Sequence, residues 1–217
     1  MIEENVIHYI NKLNNPNEEW IHDIEQEAKE HNVPIMDKVG IAFLTQLIRM
    51  QKPSKVLEIG TAIGYSALRM ASVHDAMKIV TIERDKNMFQ RAKNNIEKQE
   101  KENQIIQLFG DALEVVADVK AYGPFDLIFI DAAKGQYEKF FMLYEQMLSK
   151  NGIIITDNVL FRGYVATESA ETKRLKKIAE KIDRYNQWLV NHPDYTTTIF
   201  PIGDGVAITV PKEIKEY

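Results

Sequence analysis

Two apolar runs that end in acidic residues, FDLIFIDAAKGQY at Phe125–Tyr137 and GIIITDNVLFRG at Gly152–Gly163, decide the fold of this chain. The three consecutive isoleucines of the second run are typical of a strand buried on both faces of a parallel sheet. In open α/β sheets, residues that follow the carboxyl ends of the strands face the crevice where ligands bind. We therefore expect Asp131, Asp157 and Asn158 to meet at one place.

These three oxygen-bearing side chains suit a hard divalent cation, because Mg²⁺ prefers carboxylate, amide and water oxygens. The alternative interpretation is that each carboxylate caps the helix that follows its strand. The pair of acidic strand ends, taken together with the glycine-containing turn described below, favours the cation site.

Strands and helices alternate from Lys55 onward, which implies βαβ units, a parallel sheet and right-handed crossovers. The predicted strands are 55–60, 78–83, 104–109, 125–131 and 152–157. The predicted helices are 64–73, 85–99, 111–119, 136–149 and 169–191. The end of the chain differs, because the strand-like runs TTTIFPIG and GVAITV flank Gly203-Asp204-Gly205. This pattern predicts an antiparallel hairpin at the sheet edge and an α/β fold overall.

The first 50 residues are predicted to form a helical extension of the same domain. Apolar residues recur at helical spacing in 2–13 and again in 37–50. Between them, Asn15 is a suitable cap, Pro16 fits the first helical position and Glu18 completes a capping-box pattern, so a second helix is predicted to start there. No linker or repeat interrupts the chain, and we expect a single domain over 1–217.

Composition excludes several classes of protein. The chain has 217 residues, of which 45% are hydrophobic, and this suffices for one sizeable core. The absence of cysteine excludes disulfides, zinc–thiolate sites and thiol nucleophiles. The acidic N-terminal stretch does not resemble a signal peptide, and no run approaches the roughly 20 apolar residues of a membrane helix, so we expect a cytoplasmic protein. The net charge of −5 argues against a general nucleic-acid coat but allows a local basic patch.

Three further strand ends suggest a nucleoside-containing cofactor. The first strand ends in LEIGTAIGYSALRMA, where glycines let a ligand approach the backbone near a helix N-terminus. This spacing is not the G-x-G-x-x-G dinucleotide fingerprint, and its plain alternative is a tight turn. Glu83 ends the second strand and suits a pair of ribose hydroxyls, although it is equally suited to cap a helix. After the third strand, Asp111 or the Ala112 backbone is within reach of an adenine.

At these positions the sequence resembles the cation-dependent O-methyltransferases that use S-adenosylmethionine, of which the catechol and caffeoyl-CoA enzymes are typical. The segments that carry the resemblance are VPIMDK, LEIGTAIGYSALRMA, TIERD, GDALE, FDLIFIDAAKGQY, GIIITDNVLFRG and PIGDG. It extends from about Val33 to the last strand. IDAAKGQY, TDNVLFRG and RYNQWLVNHPDY are similar to a bacterial branch that acts on 5-hydroxyuridine at the tRNA wobble position, giving 5-methoxyuridine.

The resemblance implies a Rossmann-like class I methyltransferase fold with helices on both faces of the sheet, and it implies Mg²⁺ as the cation. It assigns Met36, Glu58, Gly60, Thr61, Ser66, Glu83, Asp111, Ala112 and Asp131 to the S-adenosylmethionine site. In this assignment, Ser66 binds the cofactor carboxylate. The resemblance also assigns Asp131, Asp157 and Asn158 to the metal, and Lys134 to the role of general base alongside Asp131. A homodimer is a further expectation from the family.

A basic run is the candidate contact for RNA, and it consists of Lys173, Arg174, Lys176 and Lys177, with Arg162 closer to the acidic loop. Phosphate contacts of this kind make binding fall steeply with salt. The alternative interpretation is a solvated helix face whose cations pair with Glu168, Glu171 and Glu180.

Three rival functions remain at this stage. The nearest keeps the chemistry and changes the substrate to a small catechol or a hydroxycinnamoyl thioester. A nicotinamide-dependent oxidoreductase is disfavoured by the missing dinucleotide fingerprint and by the acidic triad. A non-catalytic RNA-binding module is disfavoured by the low net basicity of the chain and by the same triad.

Overall fold

A computed structural model describes residues 4–14, 18–167 and 170–212. The strands are β1 (Lys55–Ile59), β2 (Lys78–Glu83), β3 (Ile105–Phe109), β4 (Phe125–Ile130), β5 (Leu148–Thr156), β6 (Tyr195–Phe200) and β7 (Val206–Pro211). Within the described ranges they form a seven-stranded sheet in the order β3-β2-β1-β4-β5-β7-β6. β1 to β5 are parallel, whereas β7 is antiparallel to both β5 and β6. The predicted parallel sheet with an antiparallel C-terminal hairpin is confirmed.

Helices cover both faces of this sheet, as predicted. They are α1 (Glu4–Leu13), α2 (Glu19–Glu30), α3 (Lys38–Gln51), α4 (Tyr65–Ala71), α5 (Lys86–Lys98), α6 (Val116–Lys120), α7 (Tyr137–Tyr144) and α8 (Lys173–Val190). α2, α3, α4 and α5 contribute to the core on one face, and α6, α7 and α8 to the core on the other. No helix in the described part of the chain is long and apolar enough to span a membrane.

β4 shows why the apolar runs fold as central strands. Leu127 and Phe129 point into one core, whereas Ile128 and Ile130 point into the other, and all four are fully buried. A strand with two buried faces needs apolar residues at every position instead of at alternate positions. This requirement explains the unbroken apolar run that ends at Asp131.

The second helix begins later than the sequence indicates. α2 starts at Glu19. Glu18 occupies the N-cap position, but its side chain accepts no hydrogen bond from the first turn of the helix. The predicted capping box is therefore wrong as regards Glu18, while Asn15, Pro16 and residue 17 lie outside the described residues. Packing fixes this helix instead, because Ile21, Ile24 and Ala28 are buried against the core.

The boundary between the predicted helix 136–149 and the strand at 152 also shifts. α7 ends at Tyr144, a 3₁₀ turn covers 145–147, and β5 already begins at Leu148. The sequence around Gly152 has the composition of a turn, but the chain stays extended there. The pairing of β5 with β4 changes register between Phe125 and Leu127, as at a β-bulge, and this change accommodates the extra residues of β5.

Two other helices start later than predicted. The Asp111 side chain accepts a hydrogen bond from the Leu113 amide at 2.9 Å, and this Asx turn replaces the first helical turn, so that regular helix begins only at Val116. α8 begins at Lys173, with Thr172 as its N-cap. The predicted start at residue 169 lies outside the described residues.

A chain of polar contacts fastens the N-terminal helices to α4. Buried Arg69 donates to the Tyr65 hydroxyl at 3.0 Å, and this hydroxyl donates to Glu25 at 2.9 Å. Lys38 at the start of α3 completes the chain through an ion pair with Glu25 at 2.9 Å. The extension is thereby tied to the helix that follows the glycine turn.

Asp85 provides a test of the helix caps, because its side chain accepts hydrogen bonds from the amides of Asn87 and Met88 at 2.8 and 3.0 Å. We expect Asp85→Ala to lower the free energy of unfolding by about 1 kcal/mol, since the first turn of α5 loses its cap. Asp85→Asn retains an acceptor and serves as the control. Urea unfolding followed by circular dichroism measures both, and equal stability of Asp85→Ala and the parent would contradict the prediction.

Candidate active site

A cavity of about 1080 Å³ lies over the carboxyl ends of β1, β2, β4 and β5. The strand order reverses between β1 and β4, and ligands of open α/β sheets bind at this kind of switch point. The cavity brings most of the predicted site residues together, namely Met36, Gly60, Thr61, Ser66, Glu83, Asp111, Ala112, Asp131, Lys134, Asp157, Asn158 and Arg162. Its wall does not include Glu58 or the four predicted cations of α8.

Gly60 brings the turn after β1 into backbone contact with the end of β4. Its φ is +102°, and a Cβ at this position would lie 2.1 Å from the main-chain oxygen of Asp131. Its amide donates to the Ile82 carbonyl at 3.0 Å, and the amide of Asp131 donates to the Ile59 carbonyl at 3.0 Å. Only glycine permits this approach of the turn after β1 to the end of β4.

Glu83 is held at the end of β2 by two main-chain donors. One carboxylate oxygen accepts from the Ala62 amide at 2.8 Å, and the other accepts from the Asp85 amide at 2.8 Å. Each oxygen retains a further lone pair. Glu83 can therefore accept hydrogen bonds from a ligand in the cavity without moving.

Arg84 is a residue of the cavity wall that the sequence analysis did not single out. Its guanidinium lies 3.5 Å from the Asp111 carboxylate and bridges the ends of β2 and β3. The sequence signal is only its position beside Glu83, in a stretch where charged residues are common.

Glu58 lies beneath the cavity floor and is fully buried. Its two carboxylate oxygens accept hydrogen bonds from the hydroxyls of Ser66 and Thr81. Burial raises the pKa of Glu58 to about 7. The negative charges of Asp131 and Glu83 raise this pKa further, whereas the hydrogen bonds from Ser66 and Thr81 lower it. Glu58 therefore supports the floor through Ser66 instead of lining it.

The contact with Glu58 limits what Ser66 offers to a ligand. A hydroxyl has one proton, and Ser66 donates its proton to Glu58 when Glu58 is ionised. Protonated Glu58 can donate to Ser66 instead, which frees the Ser66 proton for an acceptor such as a carboxylate. The raised pKa of Glu58 brings this exchange close to neutral pH.

The predicted acidic cluster is present at the ends of β4 and β5. Asn158 donates its side-chain amide to Asp131 at 3.1 Å and its main-chain amide to Asp157 at 2.8 Å. Burial and the charge of Asp131 raise the pKa of Asp157 to about 8, and burial raises the pKa of Asp131, which Lys134 partly counteracts. Two adjacent desolvated carboxylates favour a positive charge between them.

Lys134 stands beside this cluster at the start of the 3₁₀ turn Lys134–Gln136. Its ammonium lies 5.9 Å from the centre of the Phe161 ring and makes no ion pair with a described residue. A half-buried lysine with no fixed carboxylate partner is available to a ligand in the cavity.

Buried side chains of α7 and α8 hold the loop after β5, which carries Asp157 and Asn158. The Tyr137 hydroxyl donates to the Asp157 carbonyl at 3.0 Å, and the Asn186 amide donates to the Val159 carbonyl at 2.8 Å. Neither role is predictable from the sequence, because a contact between distant segments leaves no local pattern.

The basic residues fall into two groups. Arg162 lines the cavity, whereas Lys173, Arg174, Lys176 and Lys177 lie on the exposed face of α8, outside it. None of these five cations forms an ion pair within the described ranges. Glu171 and Glu180 do not pair with them, and Glu168 lies outside the described residues.

The fold and the cavity define a Rossmann-like methyltransferase. The profile of the O-methyltransferase family matches residues 12–212, and the chain belongs to this family. O-methyltransferase ankF of Aspergillus thermomutatus is 31% identical over 170 residues, which cover 73% of this chain and 71% of that protein.

Solved structures agree with this membership. A candidate caffeoyl-CoA O-methyltransferase from Staphylococcus aureus is 38% identical, with a TM-score of 0.88 over 96% of this chain and 98% of that one. An O-methyltransferase from Bacillus cereus in complex with S-adenosylhomocysteine is 26% identical, with a TM-score of 0.82 over 96% and 97% of the two chains. The protein is thus an S-adenosylmethionine-dependent O-methyltransferase of the caffeoyl-CoA and catechol type.

The raised pKa values predict how stability depends on pH in the presence of a chelator. In the unfolded chain, the carboxyl groups of Glu58 and Asp157 lose their protons near pH 4. In the folded protein, Glu58 stays protonated up to about pH 7 and Asp157 up to about pH 8. The folded state binds more protons in this window, so its stability falls as pH rises from about 4 to 8.

Asp157→Asn isolates the contribution of Asp157, because asparagine keeps an acceptor for the Asn158 amide. We expect the free energy of unfolding of this variant to exceed that of the parent at pH 8 by more than about 1.4 kcal/mol, which is the free energy that corresponds to one pKa unit. At pH 4 the two should be nearly equally stable. Urea unfolding in EDTA at both pH values measures this difference, and a variant that is less stable than the parent at pH 8 would refute the assignment.

Proposed function

We propose that this enzyme methylates 5-hydroxyuridine at the wobble position of tRNA, giving 5-methoxyuridine. The observation that carries the proposal is the meeting of an acidic oxygen cluster, Lys134 and Arg162 in one cavity, with an unpaired basic face on the adjacent helix α8. The alternative substrate is a small catechol or a hydroxycinnamoyl thioester, which needs the same cluster but not the basic face.

Mg²⁺ fits the acidic cluster because the described donors are two carboxylates and an amide, and because burial leaves the carboxylate charges undercompensated. Asp131, Asp157 and Asn158 would hold it. When bound, it supplies a positive charge that draws together vicinal substrate oxygens and lowers the pKa of the attacking hydroxyl. The hydroxyl at C5 and the carbonyl at C4 of 5-hydroxyuracil form such a pair, as do the two hydroxyls of a catechol.

The donor S-adenosylmethionine would lie across the ends of β1, β2 and β3. Glu83 would accept from its ribose hydroxyls, because two amides already fix the carboxylate in position. Asp111 and Ala112 would meet the adenine. Met36, Gly60, Thr61 and Ser66 would surround the methionine part, with Glu58 acting on it through Ser66.

Lys134 is the proposed general base. It borders the acidic cluster, it has no carboxylate partner among the described residues, and it faces the cavity where a substrate hydroxyl would meet Asp131. A general base contributes about 10²–10⁴-fold to such a reaction. Positioning of the hydroxyl against the methyl group by the cavity walls contributes a further part of the rate enhancement.

The tRNA substrate is supported by the charge pattern around the cavity. Arg162 at the wall and the cations of α8 are free to meet phosphates, whereas a solvated face would have paired with Glu171 and Glu180. The net charge of −5 disfavours general binding of nucleic acid and is compatible with a local basic patch. A tRNA substrate would also imply a cytoplasmic enzyme.

A homodimer is part of the proposal. Val6, Tyr9 and Leu13 form an exposed stripe at helical spacing on α1, with 42, 62 and 66% of their surfaces accessible. Ile7 and Ile10 of the same helix line the cavity. A second copy that covers the stripe would keep α1 against the site.

Variants at Asp157 and Lys134 separate cation binding from base catalysis. We expect Asp157→Ala to abolish turnover and Lys134→Met to lower kcat by about 10²-fold, because only the first removes a cation ligand. Both should bind S-adenosylhomocysteine with parental affinity in calorimetry. Mg²⁺ should raise the melting temperature at pH 8 for Lys134→Met but not for Asp157→Ala.

Lys139→Met is the matched control, because Lys139 is an exposed lysine on α7 outside the cavity wall. It should behave as the parent in all three assays. Full turnover by Asp157→Ala would refute the cation site, and near-parental turnover by Lys134→Met across pH would refute the base.

Methyl transfer from labelled S-adenosylmethionine to tRNA carrying 5-hydroxyuridine, compared with transfer to a catechol, tests the substrate. We expect transfer to the tRNA that is lost on metal chelation. Alanine at Lys173, Arg174, Lys176 and Lys177 should raise the KM for tRNA at least about tenfold and flatten its salt dependence, because phosphate contacts are lost.

The control replaces Lys86, Lys93, Lys98 and Lys101 with alanine, since these lysines lie on or just after α5, which packs on the opposite face of the sheet. It should leave both the KM and its salt dependence unchanged. Transfer to the catechol alone would refute the tRNA substrate while retaining the methyltransferase chemistry.

A further inference from the structure

The loop that leaves β5 has an unusual backbone. Three of its non-glycine residues, Asn158, Phe161 and Arg162, have positive φ angles of 62, 47 and 56°. This left-handed conformation is unfavourable for residues with a side chain, and it persists only where the surroundings impose it. The surroundings must therefore hold this loop, which carries Asp157 and Asn158 of the acidic cluster as well as Arg162.

The turn between β6 and β7 supplies this hold. Four consecutive amides of the loop donate to two residues of the turn. The Val159 amide donates to the Gly205 carbonyl at 3.0 Å, and the amides of Leu160 and Phe161 donate to the Asp204 carbonyl at 2.8 and 3.2 Å. The fourth donates to the Asp204 side chain, as described next.

The Asp204 carboxylate accepts a hydrogen bond from the main-chain amide of Arg162 at 2.8 Å. This contact fixes the backbone of Arg162 in its left-handed conformation and does not engage the guanidinium. The guanidinium makes no ion pair with a described residue, and Arg162 lines the cavity beside Lys134 and Asn158. Asp204 thus holds the residue while leaving its charge available.

Gly205 lets the turn approach the loop so closely. Its φ is +92°, and a Cβ would lie 2.4 Å from Leu160 Cγ and 2.7 Å from the Leu160 nitrogen. The turn and the loop therefore pack backbone to backbone, 42 residues apart in sequence.

We propose that Asp204 is a positioning residue that fixes Arg162 at the cavity wall, where the guanidinium receives an anionic group of the substrate. This inference rests on the proposed function, because a phosphate of tRNA is the anion it assigns to Arg162. Asp204 also lines the cavity, and the role assigned to it here is to place Arg162. Its action passes through the main chain of the loop.

Amide hydrogen exchange tests the hold without any substrate. In Asp204→Ala we expect the Arg162 amide to exchange at least about tenfold faster, because it loses its only acceptor among the described residues. Asp204→Asn keeps an acceptor oxygen and should retain the parental rate. Asp118→Ala, at an exposed aspartate of α6 without a hydrogen-bonded partner among the described residues, is the matched control.

Kinetics test the consequence for the substrate. Asp204→Ala should raise the KM for tRNA about tenfold, the change that corresponds to one lost hydrogen bond, with kcat changed less than about threefold. Affinity for S-adenosylhomocysteine should not change, and Asp204→Asn should restore the KM. Arg162→Gly removes the guanidinium and should therefore raise the KM for tRNA as much as Asp204→Ala does. Because glycine adopts the left-handed backbone without strain, the amides of Leu160 and Phe161 should keep their parental exchange rates in this variant.

Parental exchange and parental KM in Asp204→Ala would overturn the proposal. So would an Asp204→Asn variant as impaired as Asp204→Ala, because the carboxylate charge and not the hydrogen bond would then be responsible. If the parent methylates no tRNA, the proposed function fails on its own, and the exchange rates still decide whether Asp204 holds the loop.

Discussion

The approach of Gly60 to the main-chain oxygen of Asp131 is the constraint on which the site depends. A Cβ at residue 60 would overlap this oxygen, so the turn after β1 and the end of β4 meet only when glycine stands there. In the proposed function, the turn belongs to the cofactor half of the cavity, whereas Asp131 belongs to its acidic half. Methyl transfer needs the two halves in register, and backbone contact fixes their distance more rigidly than side chains would.

Glu58 and Asp157 are buried and Asp131 is half-buried, and their hydrogen-bond partners distinguish these three acids. Glu58 receives two hydroxyl donors and is sealed from the cavity, so it stabilises the floor. Among the described residues, the side chains of Asp131 and Asp157 accept hydrogen bonds only from the two amide groups of Asn158, and both residues line the cavity. Desolvation acts on all three acids, but the number of hydrogen-bond donors differs. Glu58 has a donor for each carboxylate oxygen and is a structural acid, whereas Asp131 and Asp157 have one donor each and retain carboxylate oxygens that can bind a cation.

The sequence predicts the sheet and the cavity wall well because both follow from local patterns. An unbroken apolar run reports burial on two faces, and the residue after it reports the edge of the sheet, as Asp131 shows. Contacts between distant segments leave no such pattern. The hold of Asp204 on Arg162 joins two loops, and the place of Glu58 below Ser66 depends on a hydroxyl from β2. The start of α2 was missed because packing outweighs capping there.

In the proposed function, chemistry and substrate choice are carried by different parts of this fold. The acidic cluster and the glycine turn stand directly on parallel strands, where the backbone ladder leaves little freedom. Arg162 lies on the loop after β5, whose amides from Val159 to Arg162 donate hydrogen bonds to the turn before β7. The basic face of α8 follows this loop in the chain. On this proposal, a change in the loop beyond Asn158 would alter which anions are bound at the cavity wall and would leave the acidic strand ends in place. A family that shares one methyl-transfer site can therefore diverge in substrate by changing this loop and the turn that holds it.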